Sequence, residues 1–456
     1  MIVAEKITNP SKIVIKPNSF RTIHYLGSKL RVLEFIKKVV DELDFEKNGI
    51  CDLFSGSGSV SQYFSSERKV VSVDIQNYSN IICSALLIPS SDKSIHSFTK
   101  NLKTSKFIAE YLNVFEPLIT LEDSVVNGKL SLNLESVCNF LENASLYAYL
   151  SIEENGNLIP ELKSAFEKTE TNLKEYKNNS FIATKYFGGV YFSFKQSVIL
   201  DAILSEIERT DPKYHNILVA SILSTASDIV NTVGKQFAQP IRPRNKNGKP
   251  KKGIIKQLRK DRNIDVLDLY NQWLNKYLNN HATDYNHQIL KVDYKEALKN
   301  LSDDVRVVYA DPPYTRDHYS RFYHGLETIS LRDFPKISKT KIGGKEKLSR
   351  GLYREEREQS DFCIRSKAPK AFEELFKLVA ENDRILILSY SPYDKSKGAH
   401  PRCVEIELLE EIAKIYFEKV EIRSIGKFSH SKLNRKDLHL DANDSAEVLI
   451  ICRNKF

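Results

Sequence analysis

The sequence predicts an α/β fold whose sheet is interrupted by a large, mainly helical insertion, and three stretches carry that prediction. Ile50-Cys51-Asp52-Leu53-Phe54 is a short apolar strand that runs through the glycine turn Ser55-Gly56-Ser57-Gly58 into a helix starting at Ser59. Lys69-Val70-Val71-Ser72-Val73-Asp74 is a second apolar strand, ending on a carboxylate. Far along the chain, Val307-Val308-Tyr309-Ala310 stops abruptly at Asp311-Pro312-Pro313-Tyr314. Between the second and third strands, helical spacing recurs at 107–118, 134–150 and 198–209.

Length and composition set the bounds. A chain of 456 residues holds two or three cores, or one domain with a large insertion. With 41% hydrophobic residues and no apolar run as long as a membrane span, it reads as a soluble globular protein. The start, Met1 to Lys6, lacks a basic segment followed by an apolar core, so the expected location is the cytoplasm. The six cysteines, at 51, 83, 138, 363, 403 and 452, form no CxxC pair and no Cys/His cluster with zinc-ligand spacing. Reduced thiols and no metal are expected.

Taken in order, the first motif is Tyr25-Leu26-Gly27-Ser28-Lys29, followed by apolar residues at 32, 33, 36, 39 and 40. Their spacing puts Gly27, Ser28 and Lys29 at a helix N-terminus, where free backbone N–H groups attract anions; an ordinary helix start would look the same. In the next unit the glycines let a ligand lie directly on the backbone. The loop is not GxGxxG, since Tyr63 and Phe64 follow without a third glycine, and it lacks the Gly-Lys-Ser/Thr of a P-loop. Asp74 stands where a strand-end acid accepts hydrogen bonds from ribose hydroxyls.

The interval 80–290 reads as helical. Lys185 to Ser193 clusters aromatic residues around Gly188-Gly189, a pattern better suited to core packing than to a ligand. Residues 242–262 hold ten Lys or Arg against the single acid Asp261, a net of +9 that equals the charge of the whole chain. Proline and glycine bar a regular helix from the first half of this run. It is expected to be a mobile loop until phosphates order Arg242, Arg244, Lys246, Lys249, Lys251 and Lys252. A solvated charge run without a partner is the alternative.

Beyond an amphipathic helix at 273–277, Ile289 to Tyr294 is a short strand with Asp293 at its end. The Asp-Pro-Pro-Tyr strand follows. Two prolines cannot donate to a ladder and hold the turn stiff. Asp311 and the Pro312 carbonyl then supply two acceptors beside the flat ring of Tyr314, with Pro313 fixing the angle. That arrangement suits an exocyclic amine on a nucleobase, although a turn closing a buried strand, with Asp311 as a helix cap, would use the same residues. Residues 315–330, with Arg316, Asp317, His318, Tyr319, Arg321, Tyr323 and His324, are expected to line the cleft. A second basic loop, 336–357, is expected to order on nucleic acid. A helix at 368–381, a strand at 384–390, a helix at 405–417 and strands at 420–426 and 447–452 complete the sheet.

Asp311-Pro312-Pro313-Tyr314, Asp52-Leu53-Phe54-Ser55-Gly56-Ser57-Gly58 and Tyr25 to Lys29 resemble the motifs of S-adenosylmethionine-dependent DNA adenine-N6 methyltransferases, and their order resembles the alpha class. The resemblance implies a Rossmann-like methyltransferase mixed sheet built from 20–80 and 288–456, with 81–287 inserted as the target-recognition region. It implies S-adenosyl-L-methionine held by Tyr25, Gly27, Ser28, Lys29, Asp52, Phe54, Gly56, Gly58, Asp74 and Asp293. It further implies that Asp311 and the Pro312 carbonyl accept the hydrogens of an adenine flipped from double-stranded DNA, with Tyr314 stacking on the base. A cognate restriction endonuclease acting on the same site would be a partner. An RNA or cytosine-N4 methyltransferase and a non-catalytic DNA-binding protein are the rival readings.

Overall fold

The computed structural model describes residues 19–88, 93–151, 158–176, 181–280, 283–315, 319–342, 344–391, 402–424 and 447–456. Among the described residues the strands are β1 (Gly49–Leu53), β2 (Val70–Val73), β3 (Gln288–Leu290), β4 (Val305–Ala310), β5 (Lys339–Ile342), β6 (Lys345–Leu348), β7 (Ile385–Tyr390), β8 (Phe417–Ser424) and β9 (Val448–Lys455). Seven of them form one sheet in the order β3-β2-β1-β4-β7-β9-β8. The first five run parallel, and β9 pairs antiparallel with both β7 and β8. The mixed sheet and its terminal antiparallel pair are those the sequence predicts.

This sheet belongs to a unit made of 1–89, 280–320 and 358–456. Its central strands are buried along their length, which is why they read as unbroken apolar runs. Successive side chains point to opposite faces. Val308, Ala310, Leu386 and Leu388 pack with the helix Ala368–Glu381, while Val307, Tyr309 and Ile387 pack with the helix Leu33–Leu43. The register sets Leu53 beside both Ala310 and Val73. The carboxyl ends of β1, β2 and β4 are therefore level, at the edge where open α/β sheets bind ligands.

The described residues of the second unit, 90–279 with 321–357, are mainly helical and include the hairpin β5–β6. Its core includes Phe115, Leu118, Phe166, Phe181 and Val198. The helical run at 107–118 is broken in two, Lys106–Val114 and Glu116–Val126, because Pro117 can open a helix but cannot continue one. The stretch 134–150 likewise divides, into Leu134–Asn143 and Leu146–Ser151. Residues 321–357, expected with the catalytic part, pack in this unit instead. The aromatic cluster forms core as expected: Phe187, Tyr191 and Phe192 pack edge-on or tilted around Phe237.

Two further expectations need correction. The basic run is not an unstructured loop. The Asn245 side chain accepts the N–H groups of Asn247 and Lys249, Arg244 bridges to Pro250, and Gly248 takes φ +75°. A helix, Ile254–Arg262, follows. The loop 336–357 is similarly ordered around the hairpin, whose turn includes Gly344 at φ +79°. Its register is set by its own ladder.

Candidate active site

Asp311 follows β4 directly, and its backbone N–H reaches the Leu53 carbonyl at 3.4 Å. Its carboxylate does not cap a helix. Oδ2 lies 3.0 Å from Nζ of Lys29, and that ammonium lies 2.8 Å from Oε1 of Glu447. Glu447 in turn accepts the Ser389 hydroxyl at 2.5 Å. Lys29 and Glu447 are buried, so one cation is shared by two carboxylates away from water. Burial pushes the Asp311 carboxyl up and Glu447 adds to the rise, against the pull of Lys29. Although burial opposes it, the two carboxylates hold the Lys29 ammonium well above its ordinary pKa.

The turn after Asp311 is braced from outside. The Pro313 carbonyl accepts from Cys363 Sγ at 3.4 Å, and the Tyr314 carbonyl accepts from the Cys403 N–H at 3.1 Å. The Tyr314 ring lies 4.7 Å from Tyr390, tilted by 47°, with the Arg402 guanidinium 5.2 Å from its centroid. Among the described residues, no hydrogen bond engages the Pro312 carbonyl, which leaves it available as an acceptor. Residues 316–318, expected to line the cleft, lie outside the described residues. Tyr319 and Ser320 do line a cavity beside Asp311. His324 does not: it is a buried residue of the second unit, packed among Phe187, Tyr191, Phe237 and Tyr353.

The glycine loop is shaped by its neighbours. Gly56 and Gly58 take φ +53° and +73°. A Cβ on Gly56 would stand 2.5 Å from the Tyr25 ring, and one on Gly58 would stand 2.8 Å from Leu86 Cδ1. Both positions therefore require glycine on conformation and on space. Phe54 also has positive φ, +68°, uncommon for an aromatic residue, and its ring packs edge-on to Phe362 at 5.4 Å. The Gly56 N–H donates to Asp74 Oδ2 and the Gln76 N–H to Oδ1, each at 2.8 Å. Asp74 is thus held rigidly, with lone pairs to spare for hydroxyl donors.

A cavity of about 350 Å³ opens here, within the usual range for small-molecule sites. Of the expected residues, Tyr25, Phe54, Asp74, Asp293, Asp311 and Pro313 line it. Gly27, Ser28, Lys29, Gly56, Gly58, Pro312 and Tyr314 are not among its lining residues. Ser28 Oγ is buried with no hydrogen-bond partner among the described residues, as a group waiting for a ligand would be. Asp52, expected at the cofactor, instead supports the loop from below. Its Oδ2 accepts both the N–H and the hydroxyl of Ser61, at 2.9 and 2.6 Å, and burial raises its pKa to about 7. Asp293 caps the helix Tyr294–Lys299 by accepting the Lys295 N–H at 2.9 Å, and it remains exposed at the cavity rim.

Sequence reasoning missed Glu447, Tyr294, Glu358 and Phe362. Tyr294 and Phe362 form a wall with Phe54, and burial and the nearby Asp293 and Asp74 raise the Glu358 pKa. Only Glu447 carried a signal, a carboxylate immediately before an apolar strand.

The six basic residues expected on DNA belong to the second unit and do not converge equally. Arg244 is paired with Glu135 and Glu142, at 2.8 and 3.0 Å, and Lys251 Nζ donates to the Arg242 carbonyl at 2.7 Å. Lys246, Lys249 and Lys252 are exposed. At the end of the run, Arg262 is buried against Glu122 and the Gly189 carbonyl and serves the core.

The sequence profile described as D12 class N6 adenine-specific DNA methyltransferase matches residues 25–183 and 143–351. Modification methylase LlaI of Lactococcus lactis subsp. lactis is 26% identical over 81% of this chain and 46% of its own length. Type II methyltransferase M.FokI of Planomicrobium okeanokoites is 24% identical over 81% and 44%. Type II methyltransferase M.NlaIII of Neisseria lactamica is 23% identical over 95% of this chain and 100% of its own. The chain thus spans about half the length of the first two relatives and all of the third.

Proposed function

From the premise that this chain belongs to the D12 class of N6 adenine-specific DNA methyltransferases, we propose that it methylates the N6 amine of a flipped adenine within a specific double-stranded DNA sequence. The observation that carries the reading is the Asp311–Tyr314 turn, braced at the edge of a cavity that also contains the rigidly held carboxylate of Asp74. The unit of 1–89, 280–320 and 358–456 would be catalytic, and the helical unit would read DNA.

S-adenosyl-L-methionine would supply an electrophilic methyl group on sulfur. Asp74 would accept its ribose hydroxyls, Phe54 and Asp293 would flank its adenine, and Tyr25, Gly27 and Ser28 would close on its methionine end, the orphaned Ser28 hydroxyl finding its partner there. An adenine amine is a weak nucleophile because its lone pair is delocalised into the ring. Hydrogen bonds from the amine to the Asp311 carboxylate and the Pro312 carbonyl would draw that lone pair back onto nitrogen. Lys29 would fix the Asp311 carboxylate, and Tyr314 would hold the base by stacking, so positioning supplies much of the rate.

One of these relatives is named a modification methylase and two are named type II methyltransferases, which supports a role beside a restriction endonuclease of the same specificity and therefore in the cytoplasm. Among the described residues, no helix is long and apolar enough to cross a membrane. Sequencing the DNA of cells that express the protein tests the reading. N6-methyladenine at one recurrent motif is expected. N4-methylcytosine, or methyl groups found only in RNA, would overturn it.

A further inference from the structure

In the helical unit, two arginines far apart in sequence lie against one ring, and two more line the cleft beside it. Tyr353 is buried, its hydroxyl donates to the Ala238 carbonyl and its backbone N–H to Ser349 Oγ at 3.0 Å. Gly351 lies so close that a Cβ there would stand 2.4 Å from the ring. The ring is therefore a fixed platform. Arg321 lies 4.6 Å from its centroid and Arg357 lies 5.1 Å away. Beside it is a cleft of about 140 Å³ lined by Arg242, Arg321 and Arg350, with Thr340 and Ser349 adding hydroxyls.

No ion pair engages Arg242, Arg321, Arg350 or Arg357 among the described residues, whereas Arg354 in the same loop has Asp333 at 2.5 Å and Arg332 has Glu208 at 2.6 Å. Burial lowers the pKa of Arg350 and of Arg357, and the neighbouring guanidinium groups lower each further. Gathering like charges on a rigid frame costs folding free energy, and an anion recovers it.

We infer that the cleft lined by Arg242, Arg321 and Arg350 beside Tyr353, with Arg357 against the same ring, is a phosphate clamp for the backbone of duplex DNA. This rests on the proposed reading of the chain as a DNA methyltransferase. Planar guanidinium forks suit phosphate oxygens, and the hydroxyls of Thr340 and Ser349 add neutral donors. The lysine-rich run at 246–252 is not needed for the site.

The test is a salt titration of binding to a random-sequence 30-base-pair DNA duplex, comparing the wild-type protein with an Arg321→Gln, Arg350→Gln, Arg357→Gln variant. Each lost phosphate contact should flatten the slope of log affinity against log salt by about 0.9, so the variant should lose roughly 2 to 3 units. Arg321→Lys, which keeps the charge, should retain the slope. An unchanged slope in the triple variant with an unaltered thermal melt would overturn the clamp. If the triple variant melts early, the three single Gln variants decide in the same way. Wild-type protein that binds no duplex would sink the methyltransferase reading itself, whereas a wild type that binds and methylates beside an unaffected variant would sink the clamp alone.

Discussion

Asp311 has to accept hydrogens from an amine, and its charged carboxylate accepts them more strongly than a neutral carboxyl or amide would. Replacing it with Asn should lower methyl transfer by about 10²- to 10⁴-fold while leaving S-adenosyl-L-methionine binding nearly intact, measured by single turnover and by calorimetry. Full turnover in that variant would remove Asp311 from the reaction. Its surroundings also predict a pH profile. The groups facing it are Lys29, Glu447, Asp52, Tyr309, Tyr314 and Tyr319. Burial raises the carboxyl first, and Glu447 raises it further against Lys29, so activity should fail on the acid side at a higher pH than an ordinary carboxylate would give. Glu447→Gln removes a negative charge and leaves Lys29 to Asp311 alone. The acid limb should then move down by about one pH unit. A variant that melts earlier with an unmoved limb would make Glu447 a purely structural partner.

At the scale of elements, the glycine loop and a buried cap can be tested separately. Gly56→Val sets a β-branched side chain at positive φ and against the Tyr25 ring, so cofactor affinity should fall by more than about tenfold in a folded variant; unchanged calorimetry would leave the loop as a turn only. Asp201 in the helical unit accepts the N–H groups of Ala183 and Thr184 at the start of the helix Ile182–Phe187, and burial raises its pKa to about 7. Between an unfolded pKa near 4 and this folded value, the native state holds the proton more tightly. This group's contribution to stability therefore declines as pH rises through that window and is level above it. Asp201→Asn keeps one acceptor oxygen, loses the other at a cost that does not depend on pH, and cannot ionise. Urea melts at the two ends of the window should show wild type losing more stability than the variant as pH rises, and equal losses would refute the assignment. These local features also mark what was legible in sequence. Strand β4 and its proline stop, the glycine loop and Asp74 are set by neighbours in the chain. Glu447 acts through Lys29 and Ser389, far away in sequence, and Asp201 through a separate helix that begins before it, contacts that no spacing reveals. The ordered turn at 245–249 depended on an Asn245 side chain that composition alone did not disclose.

Over the whole molecule the net charge of +9 equals that of residues 242–262, which makes the run look like a single DNA-binding patch. Folding divides it. Arg262 turns inward to Glu122, Arg244 to Glu135 and Glu142, and Arg259 donates to the Val126 carbonyl at 2.9 Å, so these cations hold the helical unit together. The exposed Lys246, Lys249 and Lys252 have no such duty. Sequence reading set Arg244 beside the exposed lysines among six expected phosphate contacts because charge is visible in a sequence and burial is not. Changing Lys246, Lys249 and Lys252 together to Gln should leave the melting temperature unchanged and flatten the salt slope for duplex DNA by up to about 2 to 3 units. Preference among DNA sequences should change little, since phosphate contacts position a protein and base contacts specify its site. An unchanged slope would make the run a solvated surface, and a lost sequence preference at unchanged slope would make it an element that reads bases. Arg262→Gln should do the opposite. Leaving Glu122 buried without its partner should cost about 3–5 kcal/mol in denaturant melts, and any fall in DNA binding should track the unfolded fraction and not the salt concentration.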